Sequence, residues 1–206
     1  MKKHILIIAL TAIIAISADA QEKGSSMISI NYHMGVPSLD FKDFMEETSF
    51  RGFTGDYRYY VQDKFAVGLQ SGYQVFHHKY PRGTYYFDNG AATLVHWRFA
   101  HVVPILAEAH YDLLDTDSKL QLSAGLGMGA YFVREEAWIG LYTLQWEQWG
   151  FGLAPEMQLR YNFSDGFGLL FSPRYEVVFG GERANFNDEK NNLGVWDFRF
   201  GAVFGF

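Results

Sequence analysis

The 206 residues contain no cysteine, which excludes disulfides, thiolate catalysis and lipid attachment through an N-terminal cysteine. Past residue 20 no stretch approaches the roughly 20 apolar residues of a membrane helix, so a helical inner-membrane protein is excluded. Nor is there a clustered basic stripe. Seventeen Lys and Arg stand against 23 Asp and Glu, for a formal net charge of -6, so nucleic acid is not expected as a partner. Also missing are the polar, loosely ordered residues with which soluble chains usually end. The last nine residues are FRFGAVFGF. With 49% apolar and 18% aromatic residues the composition does not suggest disorder. A secreted soluble protein or a membrane β-barrel is left.

The beginning favours export. Lys2 and Lys3 precede an apolar run from Ile5 to Ile16, broken only by Thr11, and Ala18-Asp19-Ala20 supplies small residues before Gln21. Charged, apolar and cleavable regions in this order predict a signal peptide over 1–20. The apolar run is too short to cross about 30 Å of hydrocarbon. Residues 21–206 then form one domain.

Along that domain, hydrophobicity alternates with period two in eight segments, which predicts strands over 28–34, 53–61, 65–75, 103–113, 120–132, 151–163, 167–179 and 196–206. Short connections (62–64, 115–119, 164–166) alternate with long ones (roughly 35–52, 77–101, 133–148 and 180–195). An even-stranded up-and-down barrel with short turns at one rim and long loops at the other fits this rhythm. Pro104, Pro155 and Pro173 fall inside the segments and, lacking a ladder donor, are expected to mark bulges or strand ends.

Alternation alone does not say which face is outside; volume does. An eight-stranded barrel has an interior only just wide enough for side chains. One face is rich in Phe, Tyr, Leu, Ile and Met, whereas the other carries Gly68, Gly72, Gly125, Gly127, Gly129, Gly152, Gly168, Gly201 and Gly205. The bulky face must point out, and an exposed apolar band that large is tolerable only in lipid. Aromatic residues also sort to the segment ends. Tyr57, Tyr59, Phe65, Tyr111, Tyr161, Phe163 and Phe167 lie near the short turns; Phe53, Tyr73, Phe132, Trp149, Phe151, Phe179 and Trp196 lie near the long loops. Such girdles belong at lipid headgroups. The expected fold is all-β, an eight-stranded antiparallel up-and-down transmembrane β-barrel.

With its signal peptide, eight alternating segments and terminal aromatic residue, the chain resembles the small outer-membrane β-barrel family, similar to outer membrane proteins A and X, over essentially all of 21–206. The ADAQ sequence at the cleavage site and the aromatic-rich strands resemble Bacteroidetes members. The resemblance implies residence in the outer membrane, among its lipids and lipopolysaccharide, as a monomer. It further implies that the terminal strand, with Phe200, Ala202, Phe204 and Phe206, is the signal read by the barrel-assembly machinery.

The inward positions collect Asp56, Arg58, Glu108, His110, Asp112, Glu156, Arg160, Arg174, Glu176, Asp197 and Arg199. Buried charges persist only when paired, so these residues predict a salt-bridged polar plug. The alternative is a narrow pore for small solutes lined by the same groups. Glu108, His110 and Asp112 share one strand face, but neighbours there are ~7 Å apart and no second histidine has a determined place, so no metal or other cofactor is expected. A second alternative, a lipid A-modifying enzyme, needs catalytic groups on the lipid face or in the outer loops. Within the assigned segments the outward face holds no histidine and only Ser71, while His77, His78, His96 and His101 fall in loops, so no catalytic residue is assigned. The loops HHKYPRGTYYFDNG (77–90) and REEAWIGLYTLQWEQW (134–149) mix aromatic and charged residues, and Trp138, Tyr142, Trp146 and Trp149 could carry the strands above the membrane to meet an extracellular ligand.

Overall fold

A computed structural model describes residues 23–87, 90–114, 118–140, 142–164, 166–179 and 192–206. The predicted signal peptide and most of the 180–195 connection lie outside the described residues. Eight strands form one closed antiparallel barrel in sequence order. They are β1 Ser26–Leu39, β2 Ser49–Gln62, β3 Phe65–Phe87, β4 Gly90–Asp112, β5 Leu120–Ile139, β6 Tyr142–Ser164, β7 Phe167–Phe179 and β8 Leu193–Gly205. A four-residue helix, α1 Phe41–Phe44, interrupts the connection from β1 to β2.

Closure runs through the last strand. Ile28 pairs with Phe204, Ile30 with Ala202 and Tyr32 with Phe200, continuing to Leu39 opposite Leu193. Phe206 itself meets Ser26, donating to its carbonyl at 2.8 Å and accepting from its N–H at 2.6 Å. Pairing of the first strand with the last closes the ring, which removes the open edge that lipid would not tolerate.

Side-chain parity follows the period of two. Ile30, Leu69, Phe53, Met128, Leu159, Trp149 and Phe200 are exposed on the outer wall, with Leu69 reaching 65%. Aromatic rings cluster in two belts. Tyr161–Phe163–Phe167–Phe204 run around the short-turn end at centroid spacings of 5.0, 5.9 and 5.6 Å. Phe53–Tyr73, Phe132–Trp149 and Tyr175–Trp196 mark the opposite end.

Two sequence expectations need correction. The three prolines are neither bulges nor ends. The β3–β4 register is the same at Ser71↔Ile105 and Gln74↔Val102, on either side of Pro104, and Pro104 still pairs with Tyr131 on its other flank. Likewise β6 and β7 keep register through Leu153↔Val177, Glu156↔Arg174 and Leu159↔Phe171, skipping Pro155 and Pro173. Each proline turns its donorless side to one neighbour and leaves the other ladder whole. Bulges fall instead at His33/Gly35, Tyr60/Gln62, Tyr80/Gly83 and Asn162/Ser164.

Secondly, most of 77–101 and 133–148 is strand rather than loop. β3 pairs with β4 as far as Phe87↔Gly90, and β5 with β6 as far as Ile139↔Tyr142. β3 to β6 are 20 to 23 residues long, against 13 or 14 for the others. The rim is therefore stepped: a four-stranded wall rises above the aromatic belt on one side only.

Candidate functional site: a stratified lumen

The inward side chains stack in layers, because antiparallel registry brings equal heights together across the barrel. At the short-turn end Met27, Leu170 and Val203 form a small apolar cluster. Just above, the Tyr60 hydroxyl donates to Asp112 at 2.9 Å and Arg160 lies 4.0 Å from the same carboxylate.

The middle layer holds the densest charge. Arg58 on β2 reaches across the lumen to β6, donating to Gln158 at 2.6 Å and pairing with Glu156 at 3.4 Å. Arg174 on β7 donates from Nε to Glu156 at 2.8 Å, crosses to Gln70 on β3 at 2.6 Å, and pairs with Glu108 on β4. Arg199 on β8 pairs with Asp56 at 3.4 Å, with Glu156, and donates to Ser172 at 3.2 Å. Asp56 is held in turn by Ser29 and by Asn31 at 2.7 Å. Glu156 is thus shared by three guanidinium groups, each from a different strand. Such charge-assisted bonds between opposite walls act as struts.

Above this node, His33 Nδ1 sits 2.9 Å from both oxygens of Asp197, and Glu176 lies 3.6 Å from Arg174. All eleven charged residues named from the sequence are buried. His33, Tyr60, Gln70 and Gln158 join them on inward positions. They carry the same parity signal, but neutral or singly placed groups do not stand out in a search for charge. Buried Glu135 lies in the stretch read as loop, so its inward parity was not assigned.

His110 Nε2 stands 3.3 Å from Glu108 and from Glu156, and potential ligand atoms of these three residues lie within 4.8 Å of one another. The trio differs from the Glu108-His110-Asp112 row of the sequence: Asp112 turns to Tyr60, and β6 supplies the second carboxylate. Both carboxylates are already bound to Arg174, so the donor set is an ion-pair node rather than a free cation cradle. Gly125 makes room for it, since a Cβ there would collide with the His110 ring.

The upper lumen is different in kind. Phe76, Ala100, Val102, Leu106, Tyr131, Val133, Val178, Leu193 and Val195 turn inward and form one apolar cluster with Phe41, Phe44 and Met45 from the helical segment. Phe41 meets Phe76 edge-on at 5.0 Å. The segment is held to the tall wall by Arg98, which donates to the Phe44 carbonyl at 3.2 Å and lies over the Phe44 ring, and by His78 at 3.0 Å from Glu47.

The outer face of the wall continues upward from the lipid belt as a ladder of rings. Tyr73 stacks with His101, accepting or donating a 2.6 Å bond; Phe99 follows, flanked by Trp138 and His77, and Lys79 lies 4.6 Å from the centre of the Trp97 ring. Trp138 and Trp149 face outward, whereas Tyr142 and Trp146 have the opposite parity. Strand extension also brings His77 and His101 to the outer face. On the inner face His96 stacks on Tyr80 at 4.1 Å, and burial together with the nearby Arg98 and His78 charges lowers its pKa below the ordinary 6.5.

No protein-family model matches the chain, and no curated protein sequence matches it. Solved structures do. The chain is similar to Ail, the attachment invasion locus protein of Yersinia pestis, at 17% identity over 89% of this chain and 99% of that one, with a TM-score of 0.53. It is similar to Neisserial surface protein A at 14% identity, covering 89% and 100%, with a TM-score of 0.57. It is also similar to the outer membrane protein OprG from Pseudomonas aeruginosa at 16% identity, covering 91% and 98%, with a TM-score of 0.52. At these identities the likeness is one of fold: the chain has the eight-stranded antiparallel barrel of small outer-membrane proteins.

Proposed function

We propose that the chain is a non-enzymatic integral outer-membrane barrel with a plugged lumen, serving a structural or surface-interaction role. In this reading it resembles the outer membrane protein A/X-like family in its Bacteroidetes form. It is exported by the signal peptide over 1–20 and inserted by the barrel-assembly machinery through Phe200, Ala202, Phe204 and Phe206. It sits as a monomer among outer-membrane lipids and lipopolysaccharide. The short turns then face the periplasm and the tall wall faces outward.

The observation that carries the closed lumen is the triple engagement of Glu156 by Arg58, Arg174 and Arg199. Guanidinium groups from β2, β7 and β8 converge on one carboxylate of β6, so the struts occupy the path a solute would take. Asp56, Glu108, Asp112, Glu156 and Glu176 are paired with arginines and Asp197 with His33, which supports a structural rather than a catalytic use of them. An unchanged lipid A profile on deletion is the outcome expected for a non-enzyme. Any extracellular ligand is placed on the ringed wall above the belt. Ail, of the same fold, has been crystallised in complex with the heparin analogue sucrose octasulfate, which supports a ligand-presenting use of such barrels.

Planar-bilayer recording on protein purified from the membrane tests the plug. The expected result is silence or brief, irregular events. Steady unitary currents would replace this reading with the small-solute channel.

A further inference from the structure

The helical segment occupies the upper lumen as a guest rather than as part of the wall. Phe41, Phe44 and Met45 are buried while Asp40, Lys42, Asp43, Glu46 and Glu47 are exposed, so the segment is amphipathic with its apolar face turned into the barrel mouth. It enters from Leu39, a non-glycine residue at φ 51, a left-handed conformation that a branched side chain adopts only under constraint. The bonds holding it down include side-chain ties from the wall, Arg98 to the Asp43 and Phe44 carbonyls at 3.4 and 3.2 Å and His78 to Glu47.

Beneath the guest is a wall able to receive something else. Phe76, Val102, Leu106, Val133 and Val195 line it, and Tyr131 joins them fully buried. The Tyr131 hydroxyl has no hydrogen-bond partner among the described residues. Buried hydroxyls ordinarily find one, and here the group stands where the apolar layer meets the charged one. Three large apolar side chains displace on the order of 300 Å³, the lower end of pockets that take small molecules.

We propose that Phe41, Phe44 and Met45 are the self-ligand of an upper-lumen pocket for a small aromatic compound bearing one hydroxyl. The class follows from what now fills the space: two phenyl rings, one edge-on to Phe76, above an unpartnered phenol. A phenolic guest reproduces the ring contacts and completes the Tyr131 hydrogen bond. Entry is from the tall-wall side, after the segment lifts about Leu39. Affinity is limited by the fraction of molecules with the segment lifted, because that fraction scales the apparent dissociation constant.

The test uses p-cresol as probe and toluene as its hydroxyl-free counterpart, with calorimetry on the barrel in lipid nanodiscs and empty nanodiscs subtracted. Wild type is expected to bind p-cresol weakly. Arg98→Ala, which unties the segment, should tighten binding by about fivefold or more. Phe44→Ala, which vacates part of the pocket and keeps the Arg98 bonds to the backbone carbonyls while losing its contact with the ring, should tighten it as well. In the Phe44→Ala background, Tyr131→Phe should abolish the preference for p-cresol over toluene. Folding of each variant is checked by the faster electrophoretic mobility of an unheated barrel. If either folded variant binds p-cresol no better than empty nanodiscs, or if Tyr131→Phe leaves the preference intact, the proposal is overturned. None of these outcomes bears on bilayer conductance, so this proposal and the closed lumen fail separately.

Discussion

Glu156 is the residue on which most of the lumen's charge converges, and its energetics are those of a buried hub. A buried ion pair is weak evidence of net stabilisation, because desolvating both partners offsets their attraction. Removing one partner is a different matter, for it strands the others away from water. Glu156→Ala leaves Arg58, Arg174 and Arg199 short of a shared counter-charge and is expected to cost about 3–5 kcal/mol, read from urea unfolding of the reconstituted barrel. Arg134→Ala, which breaks a half-exposed pair with Glu136 on the wall, should cost less than about 1 kcal/mol in the same assay. Equal costs would mean that the lumen is wet and the struts are screened.

At the scale of the strand, parity decides what each face must tolerate. Leu69 lies midway between the two aromatic belts on β3 and points outward. Leu69→Arg is therefore expected to destabilise the reconstituted barrel by about 2–4 kcal/mol, the cost of a cation near the bilayer midplane. A neutral outcome would place that face in water. The tall hairpins respond to acid instead. Burial and the nearby Arg98 and His78 charges lower the His96 pKa, so its contribution is present above the ordinary 6.5 and is lost as pH falls through the lowered value. Protection factors in the upper part of β3 and β4, corrected for the intrinsic pH dependence of amide exchange, should fall between pH 7.5 and pH 5, with a His96 NMR midpoint below 6.5. A midpoint above 6.5 contradicts the burial argument.

Parity also explains what could be read from the sequence. Arg58, Glu108, Arg174 and Arg199 alternate with bulky apolar residues, so their inward direction is legible without knowing any partner. The partners are not, since Arg58 and Glu156 come together only through closure of the ring across 98 residues of chain. Strand extension was hidden for a related reason. Beyond Val75 and Phe132 neither face is plainly apolar: His77 and Lys79 alternate with His78 and Tyr80, and Arg134 and Glu136 with Glu135 and Ala137. The apolar upper lumen was hidden because Val102 and Leu106 turn inward while Val103 and Ile105 turn outward, which erases alternation where the guest segment binds.

As a whole, the molecule is a barrel with a layer of paired charge in its middle and its own helical segment packed in its mouth, and one side of the rim is raised into a ringed wall. All of this depends on the apolar outer face being the lipid face. Electrophoresis of the membrane-extracted protein, heated and unheated, tests that claim most directly. A barrel held closed in lipid or detergent should run faster unheated and shift to its unfolded mobility only after boiling. A protein that leaves the membrane fraction as a monomer stable without detergent, with no heat-dependent shift, would contradict the account.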